Sequence, residues 1–195
     1  MITTDQVKEL RDKTGISVMQ CKKALEEAGG DMEKALLLLK KKGADIASKK
    51  GDRELGAGAV SSYIHSNGSI GAMVLLLSET DFVSKNKEFI DLARDIAMHV
   101  SATNPEFLNR EEVDEKTLAN IKELLAKEVE GKPAELQDKI LQGKIDAYFK
   151  EKILLEQSFI KNEDQTIADL ISNAVQKFGE KIVIGKFVRF SAAER

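Results

Sequence analysis

Apolar positions change period twice along the chain, and the changes divide it. Up to Leu39, the residues Val7, Leu10, Ile16, Val18, Met19, Ala24, Leu25, Ala28, Met32, Ala35, Leu36 and Leu39 recur at helical spacing between polar positions. Capping signals cut this stretch into pieces. Thr3 with Gln6 fits a capping box and Gly15 a left-handed stop, Ser17 with Gln20 opens a second helix that ends at Gly29-Gly30, and Asp31 caps a third that Gly43 closes. Helices of about ten residues are not stable alone. The spacing therefore predicts a three-helix unit over residues 1–44, marginal by size and suited to docking.

The helical period lapses in "ADIASKKGDRELGAGAV", where Gly and charge replace apolar residues. This predicts a linker over 45–56, read as a solvated tether, with phosphate contacts by its lysines and arginine as the other reading. Strand-like sequence follows. "AVSSYIHSNGSIGAMVLLL" holds two runs around Ser66-Asn67-Gly68-Ser69, and Asn-Gly is a strong hairpin signal because both residues tolerate positive φ. "KIVIGKFVRF" reads as a third strand, and without βαβ alternation the arrangement expected is a three-stranded antiparallel sheet.

Between these runs the helical period returns. Phe89, Leu92, Ala93, Ile96, Ala97 and Val100 predict one helix from Phe82 to Val100 that covers a sheet face, with Pro105 in the loop beyond. Leu118, Ile121, Leu125 and Val129 form a stripe, "EGKPAE" turns the chain, and Leu136, Ile140, Leu141, Ile145 and Phe149 form another. That pattern predicts a projecting helical hairpin over about 114–151, read as largely solvated or as a partner contact. A last helix is expected from Thr166 to Phe178. The fold class is thus α+β, with a core over 57–195.

Composition narrows the function. A hydrophobic fraction of 42% over 195 residues supports a buried core, and a net charge of −3 with pI near 5.6 provides no basic field for nucleic acid or an anionic membrane. The longest apolar run, Ile70 to Leu77, is too short to span a bilayer, and the N-terminal residues lack a basic segment followed by an apolar one. A cytoplasmic protein is expected. Cys21 is the single cysteine, so no intramolecular disulfide is expected; it lies among apolar helical positions and reads as a buried structural thiol.

Candidate chemistry is sparse. His65, His99 and Cys21 are too few for a zinc site, so no metal is expected. Gly179 and Gly185 enclose five residues rather than the four of a phosphate loop, Lys186 precedes Phe187 rather than Ser or Thr, and "GAGAV" at Gly56 to Val60 is not a dinucleotide fingerprint. No nucleophile stands with a base. No catalytic residue and no cofactor are expected.

One stretch stands apart, "SETDFVSKN" from Ser78 to Asn86. Phe82 lies seven positions before Phe89 and is read either as an extension of the core stripe, with Asp81 or Thr80 capping the helix, or as an exposed aromatic beside a carboxylate on a corner. "ELRDKTGISVMQCKKALEEAGGDMEKAL", with "TDFVSKN" and "DIAMHVSATNPEF", resembles the elongation factor Ts family, whose members exchange guanine nucleotide on elongation factor Tu.

The resemblance covers nearly the whole chain and implies a ubiquitin-associated-like N-terminal module. It further implies that Asp81 and Phe82 intrude near the magnesium site of the GTPase, with Thr80 and Val83 completing the motif. It assigns Arg11, Val18, Met19 and Lys22 to contacts with the nucleotide domain. His99 is assigned to a contact with another domain; pairing with Asp95, one turn earlier, is its other reading. Here the corner motif and the "IAMHV" segment fall on one helix, as in the short form of the family, which implies a homodimer. Two other readings remain: an adaptor that binds a ubiquitin-like or ribosomal partner through the three-helix unit, and a small-substrate enzyme, for which the sequence shows no site.

Overall fold

The structure, a computed structural model, describes residues 2–129 and 133–193. Its first helix begins where the capping box puts it. The Thr3 hydroxyl accepts from the Gln6 amide at 3.2 Å and the Gln6 side chain accepts from the Thr3 amide at 3.0 Å, opening α1 (Thr4–Thr14), which Gly15 ends at φ 69°. Ser17 caps α2 (Val18–Glu27) and Asp31 caps α3 (Met32–Lys49). Their shared core is Val7, Leu10, Ile16, Cys21, Ala24, Leu25, Ala35 and Leu39. Cys21 is fully buried, where its thiol is pushed above the usual range by desolvation.

Two expectations about this unit are corrected. Val18 and Met19 lie outside its core, 51% and 82% exposed, because the buried stripe of α2 is Cys21, Ala24 and Leu25 and its first turn overhangs the packing. Nor does Gly43 close α3. The helix runs on to Lys49, and Gly43 is buried mid-helix where a Cβ would strike the Ser172 hydroxyl of α8 (Ile167–Phe178). The glycine allows two helices to approach rather than ending one. Ile46 and Ala47, beyond it, pack on the main core, and Lys40 pairs with Asp169 of α8 at 2.9 Å.

The rest of the expected linker is not a solvated tether. Lys50 and Arg53 converge on the carboxylate of Glu79, Arg53 at 2.9 Å, while the Lys181 ammonium donates to the carbonyls of Gly51 and Arg53. Two of the charges that made this segment look solvated, Lys50 and Arg53, are paired with Glu79, while Asp45, Lys49, Asp52 and Glu54 remain exposed.

The sheet has the order β1-β2-β5, from β1 (Ala57–Ile64), β2 (Ile70–Ser78) and β5 (Ile182–Ser191), antiparallel throughout. Gly68 takes φ 70° in the turn between the first two strands. One face carries Ala72, Val74, Leu76, Ile182 and Ile184, against which α5 (Lys87–Thr103) packs Phe89, Ala93, Ile96, Ala97 and Val100. The other face is bare: Val60, Ile64, Met73, Val188 and Phe190 are exposed, with Met73 opposite Val188 in register.

The helical hairpin is formed by α6 (Glu115–Val129) and α7 (Ala134–Lys152) around Leu125, Val129, Ile145 and Phe149. Residues 130–132 of the expected turn lie outside the described residues. Leu118 and Leu136 stay exposed, and the base of the hairpin is tied to the core by Arg110, 2.6 Å from Glu156 and 3.0 Å from Asp146. A short pair, β3 (Ser158–Phe159) and β4 (Asn162–Thr166), went unread in the sequence because so few residues alternate. Among the described residues no helix is long and apolar enough to cross a membrane.

Candidate docking corner

Strand β2 ends at the fully buried Ser78, whose hydroxyl donates to the Thr80 carbonyl at 3.0 Å. Thr80 then begins a single turn, α4 (Asp81–Ser84), which stops at Lys85. A new helix starts after it. Asn86 has extended backbone (φ −68°, ψ 134°) and its side chain accepts from the Glu88 amide at 2.9 Å, so α5 is capped afresh. The one helix expected from Phe82 to Val100 is therefore two.

That break decides the reading of Phe82. The core stripe begins at Phe89, and Phe82 stands 83% exposed on the corner. Val83 is the residue that points inward, 4% exposed in the main core, and Ser84 is buried beside it. Thr80 occupies the N-cap position, yet its side chain caps nothing; amide and hydroxyl donate to the two oxygens of Glu180, at 3.0 and 2.6 Å. Asp81 pairs with Lys85 at 2.6 Å, and that ammonium holds its carboxyl below the usual range, so it is ionised at neutral pH.

Arg11, Val18, Met19 and Lys22 are all at the surface of the N-terminal unit. Arg11 lines a groove of about 310 Å³ together with Ser17, Gln20, Glu88 and Lys177, which brings the α1–α2 elbow next to the first turn of α5. His99 is not with them. It is fully buried, so in this conformation its ring does not reach the surface. Asp95 does not pair with it either, being bound to Lys161 at 2.6 Å.

The His99 ring instead holds the β3–β4 segment. The Ile160 amide donates to Nδ1 at 3.4 Å, which leaves the proton on Nε2, donated to the Gln157 side-chain oxygen at 2.9 Å. A second proton would set donor against donor. Burial lowers the pKa of this histidine, only partly offset by Gln157.

Sequence reasoning missed Glu180 and Glu79. Glu79, mostly buried, accepts from the Lys181 amide and pairs with Arg53, and that backbone bond is the first cause of its lowered pKa. Nothing local marks either carboxylate, since each acts on a segment about a hundred residues away. Among the described residues no group of three or more His, Cys, Asp or Glu is placed to hold a metal ion.

The fold and the corner define a two-part α+β protein that presents an aromatic and a carboxylate on a braced surface turn. A profile of the family described as Elongation factor TS matches residues 38–194. The chain is 49% identical to an Elongation factor Ts from Alkaliphilus metalliredigens over 99% of this chain and 90% of the relative. It is 46% identical to one from Thermodesulfovibrio yellowstonii, over 99% and 97%, and 44% to one from Thermosipho melanesiensis, over the full length of both. The chain belongs to the elongation factor Ts family, and so to the translation elongation factors.

Exposure predicts opposite stabilities for adjacent residues. Phe82→Ala changes the unfolding free energy by less than about 0.5 kcal/mol, whereas Val83→Ala lowers it by about 2 kcal/mol, both read from urea denaturation. His99 predicts a pH slope. Its folded pKa lies below the unfolded one, so the unfolded chain takes up the extra proton and stability falls as pH drops through the ordinary histidine range, about 7.5 to 5.5. Urea midpoints across that window decline for the parent chain and decline less for His99→Gln.

Proposed function

We propose that this chain is a guanine-nucleotide exchange factor acting on elongation factor Tu in the cytoplasm, without a cofactor or covalent step of its own. The observation that carries this reading is the exposed Phe82, standing beside Asp81 on a turn anchored by Val83. The GTPase holds GDP largely through phosphate-loop donors and Mg²⁺. An aromatic driven in beside a carboxylate at that place displaces the ion's support and loosens the phosphates.

Magnitudes fit a wedge assisted by a second contact. Burying a Phe side chain is worth about 1.5–3 kcal/mol, and 1.4 kcal/mol is tenfold in affinity, so Phe82 accounts for roughly a ten- to hundredfold weakening of GDP. Further weakening needs interface energy from elsewhere. Arg11, Val18, Met19 and Lys22 supply it on the nucleotide domain; the exposed Val18 and Met19 are what a docking surface requires. Coupling is reciprocal, so incoming nucleotide expels the factor by the same energy with which the factor expels GDP.

A homodimer belongs to the same reading. The bare sheet face with Val60, Ile64, Met73, Val188 and Phe190 is a contiguous apolar surface of the kind that a soluble chain covers. A second copy of this chain covers it, giving two factors and two GTPases per complex.

The test is the dissociation rate of fluorescent GDP from elongation factor Tu. The parent chain accelerates it strongly, Phe82→Ala loses about tenfold or more of that effect, and Phe82→Ala with Asp81→Ala loses most of it while still binding. Binding of the parent chain without acceleration leaves an adaptor. For the dimer, Met73→Lys converts a species of twice 21.5 kDa in sedimentation to one of 21.5 kDa. A parent chain that sediments as a monomer at micromolar concentration discards the dimer.

A further inference from the structure

We propose that Glu180 is a positioning residue for the exposed corner: its carboxylate, reaching from just before β5, sets where Thr80, Asp81 and Phe82 stand. The inference rests on the reading of that corner as the exchange surface. Its starting point is a cap that is not made. Thr80 has the extended backbone of an N-cap residue, φ −124° and ψ 158°, from which its hydroxyl would ordinarily accept from a first-turn amide of α4. Instead that hydroxyl donates to Glu180 at 2.6 Å, the short distance of a charge-assisted O–H bond, and the Thr80 amide donates to the other carboxylate oxygen at 3.0 Å.

Two bonds from two atoms of one residue to one carboxylate fix both its place and its rotation. The need for them follows from what the corner lacks. Helix α4 has four residues, too few to hold itself by internal hydrogen bonds, and Phe82 has almost no packing of its own. Val83 and Ser84 pin the turn from below, and the Ser78 hydroxyl holds the Thr80 carbonyl. Glu180 supplies the restraint from the side.

The opposite exchange reinforces it. Glu79, adjacent to Thr80, accepts from the amide of Lys181, adjacent to Glu180, while Ser78 and Ile182 pair as strand neighbours just inside. The ends of β2 and β5 are thus crossed by two carboxylates, each holding the other's backbone. Arg53 and Lys50 complete the Glu79 side and bring the end of α3 to the same junction.

A structural role alone and a positioning role differ in what they change. We compare Glu180→Ala, Glu180→Gln, Thr80→Val and Thr80→Ser for the maximal rate of GDP release at saturating factor and, separately, for half-saturation. With Glu180→Ala and Thr80→Val the maximal rate falls about tenfold, the effect of losing hydrogen bonds to a charged group, while half-saturation moves less. Glu180→Gln and Thr80→Ser stay within about threefold of the parent, because an amide still accepts from the Thr80 N–H while donating to its hydroxyl, and serine keeps that hydroxyl.

A second readout does not need exchange. The chain has no tryptophan, so F82W reports the corner alone, and Glu180→Ala in that background adds a fast, wide component to the fluorescence anisotropy decay without changing overall tumbling. Where the parent chain accelerates GDP release, an unchanged maximal rate in Glu180→Ala overturns the proposal, as does a loss confined to melting temperature. Where the parent chain does not accelerate release, the exchange reading fails, and the anisotropy decay alone decides whether Glu180 holds the corner.

Discussion

The central strand β2 is the constraint on which the molecule is arranged. It pairs with β1 on one edge and β5 on the other, and its alternate residues Ala72, Val74 and Leu76 are buried under α5. A strand with period two can hide only one face in this way. Its partners inherit the same division, so the sheet has a filled side and a bare side, and the chain must leave β2 over its buried end. The corner with Phe82 is what lies over that end. An aromatic placed there is held by the sheet's packing without taking part in it.

The fold was readable to the extent that its causes are local. Thr3, Gly15, Ser17, Asp31 and Asn67-Gly68 act within a few residues of themselves, and the helices and strands they bound are present. Gly43 misled because its neighbour is Ser172, which no local pattern brings near. The linker misled for the same reason, Lys50 and Arg53 being matched by Glu79 and the backbone of the segment by Lys181. Asn86 was a signal that went unused: a capping residue inside an apparent helix divides it, and that division turns Phe82 outward.

Of the candidate site, Asp81, Phe82, Arg11, Val18, Met19 and Lys22 are at the surface, while Val83 and His99 are interior. Motif resemblance carries residue identity but not exposure, which depends on what packs above. His99 shows the difference. Its ring is enclosed by Gln157 and the Ile160 backbone, contributed by a segment some sixty positions away. The Glu180 carboxylate was hidden from sequence reading in the same manner, through a pairing that exists only once β2 and β5 lie side by side.

The shared helix α3 has a consequence for how a two-part surface engages a large partner. Its first turns belong to the N-terminal core and its last turns to the main core, with Gly43 seated against α8 between them. A unit joined by a flexible tether must search for its second contact, and the effective concentration it achieves falls as the tether lengthens. Here there is no tether to search with. The elbow of α1 and α2 is held at a set offset from the corner, so the two exposed patches are presented together. The spacing between them is therefore fixed by the packing of α3 rather than by a partner, and on the proposed function it acts as a ruler against any GTPase whose two sites are differently spaced.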